Sequence, residues 1–392
     1  MKRRNFLRTA GGGIVLSGGL AGCLGEPGGG GGSSGGSGGG NGSSGGGGTN
    51  GSANGSSEGS SGTSSEMNLA VISGPGGFGD KAYNDKALGG LQRVKEEFGA
   101  SINRVQGEGG QYGSLQSQLA ESSTPYDLII CVGFYQASAL KQSANQYPDQ
   151  RWMIINQGLF KENGEHFENV AGYVWANHEM SYLAGVAAAT MTTRDFSYEG
   201  KSTTPDQRVV GFVGGVDSAL IRAFEQAYVA GVKRVDESIE ATTGYAGSFE
   251  DPSAGKQVAL AQYDQGADVI YHAAAGTGPG IFQAAQERDR FAIGVDADQS
   301  VSLPQYAGVI VGSAVKYIDV GTFRVARGIR EGNWDQVGGK HVLGLGEEAV
   351  EFVKGELIGP ELPDAVDSNL EEAADAIVAG DVTVPCQATG CQ

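Results

Sequence analysis

The sequence predicts an α/β fold of two doubly wound parallel-sheet lobes joined by a hinge. Three observations predict it. The chain has 392 residues, about twice the size of one ordinary domain. Short apolar runs alternate with segments of helical periodicity from Met67 to about Val174, and the alternation restarts at Arg208. Two successive runs of βα units imply two parallel sheets.

In the first run, Met67–Ser73 (MNLAVIS) is a buried strand followed by turn residues. Tyr83–Phe98 is helical, with Leu88, Leu91, Val94 and Phe98 on one face. Tyr126–Val132 is the next strand, Gln136–Gln146 a helix, and Trp152–Asn156 a strand. After strand Val170–Val174 comes an Ala-rich helix, Tyr182–Thr192. The second run reads strand Arg208–Val213, helix Leu220–Val235, strand Ile239–Thr243, helix Ser253–Gln265 and strand Asp268–His272. Helix Gly280–Arg288, strand Phe291–Val295 and a further strand, Gly308–Val315, complete it.

The first 66 residues read as address and tether. Residues 1–23 join a basic start (Lys2, Arg3, Arg4, Arg8) to a weakly apolar Gly-rich stretch too short to span a membrane. Arg3-Arg4 before Phe6-Leu7 resembles a twin-arginine export signal, and Leu20-Ala21-Gly22-Cys23 resembles a lipobox, with Cys23 the residue to be lipidated. Residues 24–66 are 43 long, and 32 of them are Gly or Ser, a composition that cannot bury apolar surface. As a disordered tether this segment would reach roughly 35 Å. The body, 67–392, divides into one lobe of about 67–175 with a return segment near 300–330, and a second of about 176–298 with part of the C-terminal region.

Composition removes several function classes. Acids outnumber bases 45 to 27, so no basic footprint for nucleic acid exists. Over 67–392 there are 23 Lys plus Arg against 42 Asp plus Glu, a charge of −19. Acidic, Lys-poor surfaces suit high salt, where the screening length falls to about 3 Å at 1 M. An ordinary acidic extracellular protein is the alternative. Four cysteines exclude a disulfide scaffold, and no His or Cys spacing suggests a metal. Cys131 reads as a core residue, while Cys386 and Cys391 are either two thiols or one small terminal loop. No Gly-x-Ser-x-Gly elbow and no acid cluster with metal spacing supports an enzyme, and no cofactor is implied.

In open sheets, ligands sit beyond the carboxyl ends of the strands. The polar, Gly-rich segments fall there: GPGGFGDKAYN, GFYQ, GGVDS, AAGTGPG and DADQ. A small polar ligand held between two lobes follows. Tyr83 and Phe249 either sandwich a flat ring or pack the lobes. Asp296 and Asp298 follow an apolar strand, where a carboxylate can accept from a sugar diol or cap a turn. Lys316 either pairs with Asp296 or is solvated. Gly276 and Gly278 bare the backbone before a helix, for ligand approach or for a tight turn.

The run Gly79-Asp80-Lys81-Ala82-Tyr83-Asn84, with Gly90-Leu91 and Lys95-Glu96-Glu97-Phe98-Gly99, resembles the basic-membrane-protein family. So do Gly211-Phe212-Val213-Gly214-Gly215, Gly247-Ser248-Phe249, Asp251-Pro252, Gly255-Lys256, Gln262–Asp268 and Gly294–Gln299, and the likeness runs from about Met67 to Val384. These are purine-nucleoside-binding lipoproteins of ABC importers. The resemblance implies a type I periplasmic-binding-protein fold with three hinge strands. It implies a purine stacked between Tyr83 and Phe249, with the pentose held by Asp296, Lys316 and a Gly of the 276–280 loop. Tyr83 and its neighbours Asp80 and Asn84 stand in the motif whose family form is Asp-Lys-Ser-Phe-Asn. Two departures concern the base edge: Gly74-Pro75 stands where many members carry an Asp before Gly-Gly, and Asn156 stands where many end the strand in Asp. Asn156 can both donate and accept, whereas an ionised Asp only accepts.

The expected protein is a lipid-anchored, monomeric receptor that captures a nucleoside outside the cell and passes it to an ABC permease and ATPase on other chains. A binder of a sugar or other polar metabolite, a surface sensor and a nucleoside-processing enzyme are the alternatives.

Overall fold

A computed structural model describes residues 66–386. The expected signal, the tether up to residue 65, Cys23 and Cys391 lie outside these residues. Strand β1 (Met67–Ile72) leads to α1 (Tyr83–Phe98), β2 (Ala100–Val105), α2 (Tyr112–Ala120), β3 (Leu128–Cys131), α3 (Ala137–Gln146), β4 (Trp152–Ile155) and β5 (Val170–Trp175). Helix α4 (Asn177–Thr192) and a small hairpin, β6 (Ser197–Tyr198) and β7 (Lys201–Ser202), precede the second series. That series is β8 (Val209–Gly214), α5 (Ala219–Val235), β9 (Glu240–Tyr245), α6 (Pro252–Asp264), β10 (Ala267–Ala273), α7 (Gly278–Glu287), β11 (Phe291–Asp296), α8 (Gln299–Ser302) and β12 (Ile310–Lys316). The chain ends with α9 (Ile318–Arg330), α10 (Trp334–Val337), β13 (Gly339–Leu343), β14 (Val350–Lys354) and α11 (Asp364–Ala379).

Two six-stranded sheets result, ordered β13-β5-β4-β3-β1-β2 and β14-β12-β11-β10-β8-β9. All pairs are parallel except β12 with β14. Central strands such as β3 (LIIC) and β4 (WMII) are buried at every position, as a sheet covered on both faces requires. Helix α4 is buried at 14 of its 16 residues because it lies between the second sheet and α5 and α11. Its crossing with α5 is close: a Cβ on Gly185 would sit 2.1 Å from the Tyr228 carbonyl oxygen, and one on Gly231 2.0 Å from that of Tyr182.

The chain crosses between lobes three times: from β5 to α4, from β12 to α9 and from β13 to β14. The return to the first lobe comes later than the sequence suggests. Ile310–Lys316 hydrogen-bonds to β11 and so belongs to the second sheet, and the return begins with α9, which packs on α1 and β5. Helix α4 starts five residues before the expected Tyr182, since its polar first turn, Asn177 to Ser181, breaks the apolar run. Strand β2 (ASINRV) carries no apolar run in the sequence, because it is a sheet edge with half-exposed polar residues.

Candidate functional site

The carboxyl ends of both sheets meet at a cleft that is partly open to solvent. From the first lobe come Pro75, Tyr83, the Gly133–Tyr135 turn after β3, and Asn156. From the second come Leu220, Ile221 and Phe224 of α5, Phe249, Ala273–Ala275 after β10, and Val295, Asp296 and Lys316. The walls are therefore mostly apolar and aromatic. Tyr135 meets Phe249 edge-on across the lobes, with ring centroids 6.3 Å apart.

The polar groups gather at one pole. Lys316 Nζ lies 3.0 Å from Asp296 Oδ1 and donates to Asn177 Oδ1 at 3.0 Å. The same ammonium faces the Tyr83 ring at 4.8 Å and the Phe224 ring at 5.5 Å. Lys316 is 2% and Asp296 6% exposed. Burial lowers the Lys316 pKa, and the Asp296 carboxylate opposes that shift. The Tyr83 hydroxyl donates to the Ile155 carbonyl at 3.4 Å. Burial first, then the Asp296 and Asp80 carboxylates, hold that hydroxyl protonated far above the usual phenol range. Asn156 Oδ1 is buried without a hydrogen-bond partner. Asn156, just after β4, and Asp296, the last residue of β11, both have positive φ, 60° and 66°. That costly turn lets a side chain at the strand end leave the alternation of the sheet.

The structure thus brings Tyr83, Asn156, Phe249, Asp296 and Lys316 to one cleft. The other candidates are placed differently. Asp80 is buried and accepts main-chain N–H bonds from Ala82, Asn84 and Asp85, so it caps the start of α1. Asn84 accepts from Gly74 N–H at 2.7 Å and donates to the Pro75 carbonyl, which shapes the first loop behind the cleft wall. Gly276 borders an adjoining polar chamber, beside Gly76 and the Phe249 carbonyl. Gly278 packs on the His272 ring, where a Cβ would come within 2.3 Å, so packing accounts for it. Asp298 caps α8 through Ser300 N–H and Oγ and is not a cleft-lining residue. Among the described residues no His, Cys, Asp and Glu group could hold a metal.

Sequence reasoning missed Phe224, Tyr135 and Asn177. Phe224 sits at a helical core spacing, Tyr135 in a strand-end loop, and nothing local marks Asn177.

Residues 67–387 match the family model described as ABC transporter substrate-binding protein, PnrA-like. The chain belongs to this family. Among its relatives, basic membrane protein A of Borreliella burgdorferi is 31% identical over 311 residues, covering 78% of this chain and 85% of the relative. A Lactococcus lactis protein named ABC transporter nucleoside-binding protein BmpA is 33% identical over 252 residues, covering 60% and 65%. Among solved structures, an ABC transporter solute-binding protein from Aeropyrum pernix superimposes with a TM-score of 0.71 at 26% identity, covering 82% of this chain and 94% of that one. The two-lobed fold and the basic-membrane-protein membership expected from the motifs therefore hold. The protein is a substrate-binding component of an ABC transporter: its work is capture of a small molecule, and its partners are a permease and an ATPase.

Proposed function

We propose that this substrate-binding protein captures a nucleoside, a purine nucleoside first, and delivers it to an importer from the outer face of the cell membrane. The observation that carries the reading is an apolar cleft with aromatic rings from both lobes and the buried ion pair of Asp296 and Lys316. A flat base suits the aromatic walls, since ring stacking is worth about 1–3 kcal/mol per base. A carboxylate accepts from two vicinal hydroxyls, as a pentose offers, and the ammonium donates to a third oxygen. Asn156 carries both a donor and an acceptor, which suits a base edge presenting either. The nucleoside-binding relative supports the same reading. Titration calorimetry with adenosine, guanosine, inosine, uridine and ribose tests it. Heat from a purine nucleoside exceeding that from ribose is expected; binding of ribose or another sugar alone overturns it.

The twin-arginine and lipobox motifs, with lipid on Cys23, would place the monomeric body on a tether outside the membrane. Labelled lipid retained by the wild type and lost by Cys23→Ala checks this. The −19 charge of 67–392 supports a saline habitat. An unfolding midpoint that rises with salt is expected, and a maximum at low salt would count against it.

A further inference from the structure

The polar pole of the cleft reaches the hinge through a residue outside the cleft wall. The three crossings run side by side: Ala176 between β5 and α4, Tyr317 between β12 and α9, and Gly344–Ala349 between β13 and β14. Main-chain bonds tie the third crossing to each of the others. Ala176 N–H donates to the Leu343 carbonyl at 2.8 Å, and Tyr317 N–H to the Ala349 carbonyl at 2.9 Å. Between the first and second crossings the tie is made by side chains, from Lys316 Nζ to Asn177 Oδ1 at 3.0 Å. Asn177 opens α4 and Lys316 closes β12, so each is the second-lobe residue adjoining its crossing. Asn177 is 1% exposed and does not line the cleft. An ammonium has three N–H donors. With Asn177 on one side and Asp296 on another, the ammonium faces the Tyr83 ring.

We propose that Asn177 is a positioning residue: it aims Lys316 and, through that bond, fastens the first crossing to the second, so that the charged pole of the cleft and the hinge move as one unit. Lysine is a point charge on a flexible four-carbon stem, and burial alone does not fix its direction. Without the Asn177 acceptor the ammonium keeps Asp296 and the Tyr83 and Phe224 ring faces, and the two crossings lose their cross-tie. The coupling depends on the hinge and the ion pair, whatever ligand the cleft takes.

Amide hydrogen exchange on the ligand-free full chain tests it, because local opening is read segment by segment. Asn177→Leu keeps the size and removes the acceptor; Asn177→Asp keeps an acceptor at the same place. In Asn177→Leu, amides at Ala176–His178 and Lys316–Ile318 are expected to exchange at least about tenfold faster, while β3, β10 and the third crossing keep wild-type rates. Asn177→Asp is expected to restore both segments to within about twofold. If Asn177→Leu does not fold, Asn177→Ala is compared with Asn177→Asp in the same way. Unchanged rates, acceleration spread evenly over both lobes, or failure of Asn177→Asp to rescue would overturn the proposal.

Discussion

Each of the four inner strands of the first sheet has a counterpart at the same place in the second: β1 with β8, β3 with β10, β4 with β11 and β5 with β12. The counterparts end differently. Asn156 follows β4 and Asp296 ends β11, both with positive φ; Trp175 ends β5 and Lys316 ends β12. The first lobe thus offers the cleft a neutral amide and the Tyr83 ring, and the second offers a buried ion pair. One backbone design has been kept twice while its charge was concentrated in one copy. Geometry at the strand ends is a property of the fold; chemistry there is a property of single residues.

The largest effect expected from this asymmetry is at the ion pair. Lys316→Met strands a buried carboxylate and should cost about 3–5 kcal/mol, while Asn156→Ala in the neutral counterpart should cost about 1 kcal/mol. Urea unfolding midpoints compare them, and equal losses would break the contrast. Next comes acid stability, which separates β10 from β3. Burial holds His272 down at about 4 and pushes Asp268 up to about 6. An unfolded His272 protonates below about pH 6.5 where the folded one does not. Its contribution is therefore full above about 6.5 and is lost as pH falls to about 4. Asp268 runs the other way: its contribution is full below about pH 4 and is lost as pH rises through about 6. Relative to wild type, His272→Gln should gain and Asp268→Asn should lose about 3 kcal/mol as pH falls across that window. Chemical unfolding at several pH values checks the opposite signs, and β3, whose Cys131 thiol is pushed well up by burial, supplies no such group.

Helix crossings should behave alike in the two lobes. Gly185→Ala drives a Cβ toward Tyr228 on α5, and Gly90→Ala drives one toward the Asp319 carbonyl at 2.1 Å on α9. Both should lose about 1–3 kcal/mol by overpacking, and a tolerant Gly90 would mark the first lobe as the looser one. The smallest effect is expected where the lobes touch at the surface. Glu250 Oε1 accepts from Gly76 N–H at 2.7 Å, and Ser302 Oγ donates to the Lys81 carbonyl at 3.0 Å. Glu250→Ala should weaken ligand binding only about two- to fivefold, because exposed charged contacts contribute little. Titration calorimetry reads it, and a larger loss would make this contact the main clasp between lobes.

Legibility followed burial. Strands such as MNLAVI, LIIC and FAIGVD are short apolar runs because helices cover both sheet faces, so their places could be read directly. Edge strand β2, and β13 (GKHVL) and β14 (VEFVK), carry half-exposed residues and gave no such signal. Tyr83, Phe249, Asp296 and Lys316 were legible because they stand at strand ends or in or beside the loops that follow, and Asn156 through the family resemblance. Asp80, Gly278 and Asp298 stand in the same loops, and there only the fold separates a cap or a packing contact from a cleft wall.

By itself the sequence determined the doubled βα order, the acidic body, the Gly/Ser segment and the family motifs, because periodicity and composition are local quantities. Which sheet β12 joins, which strand-end side chains face one cleft, and that Asn177 lies against Lys316, 139 positions away, were decided by the tertiary structure. The reason is physical: a lone buried ammonium is unstable, and its partners come from whichever segments the packed sheets and crossings bring within 3 Å, not from its neighbours in the chain.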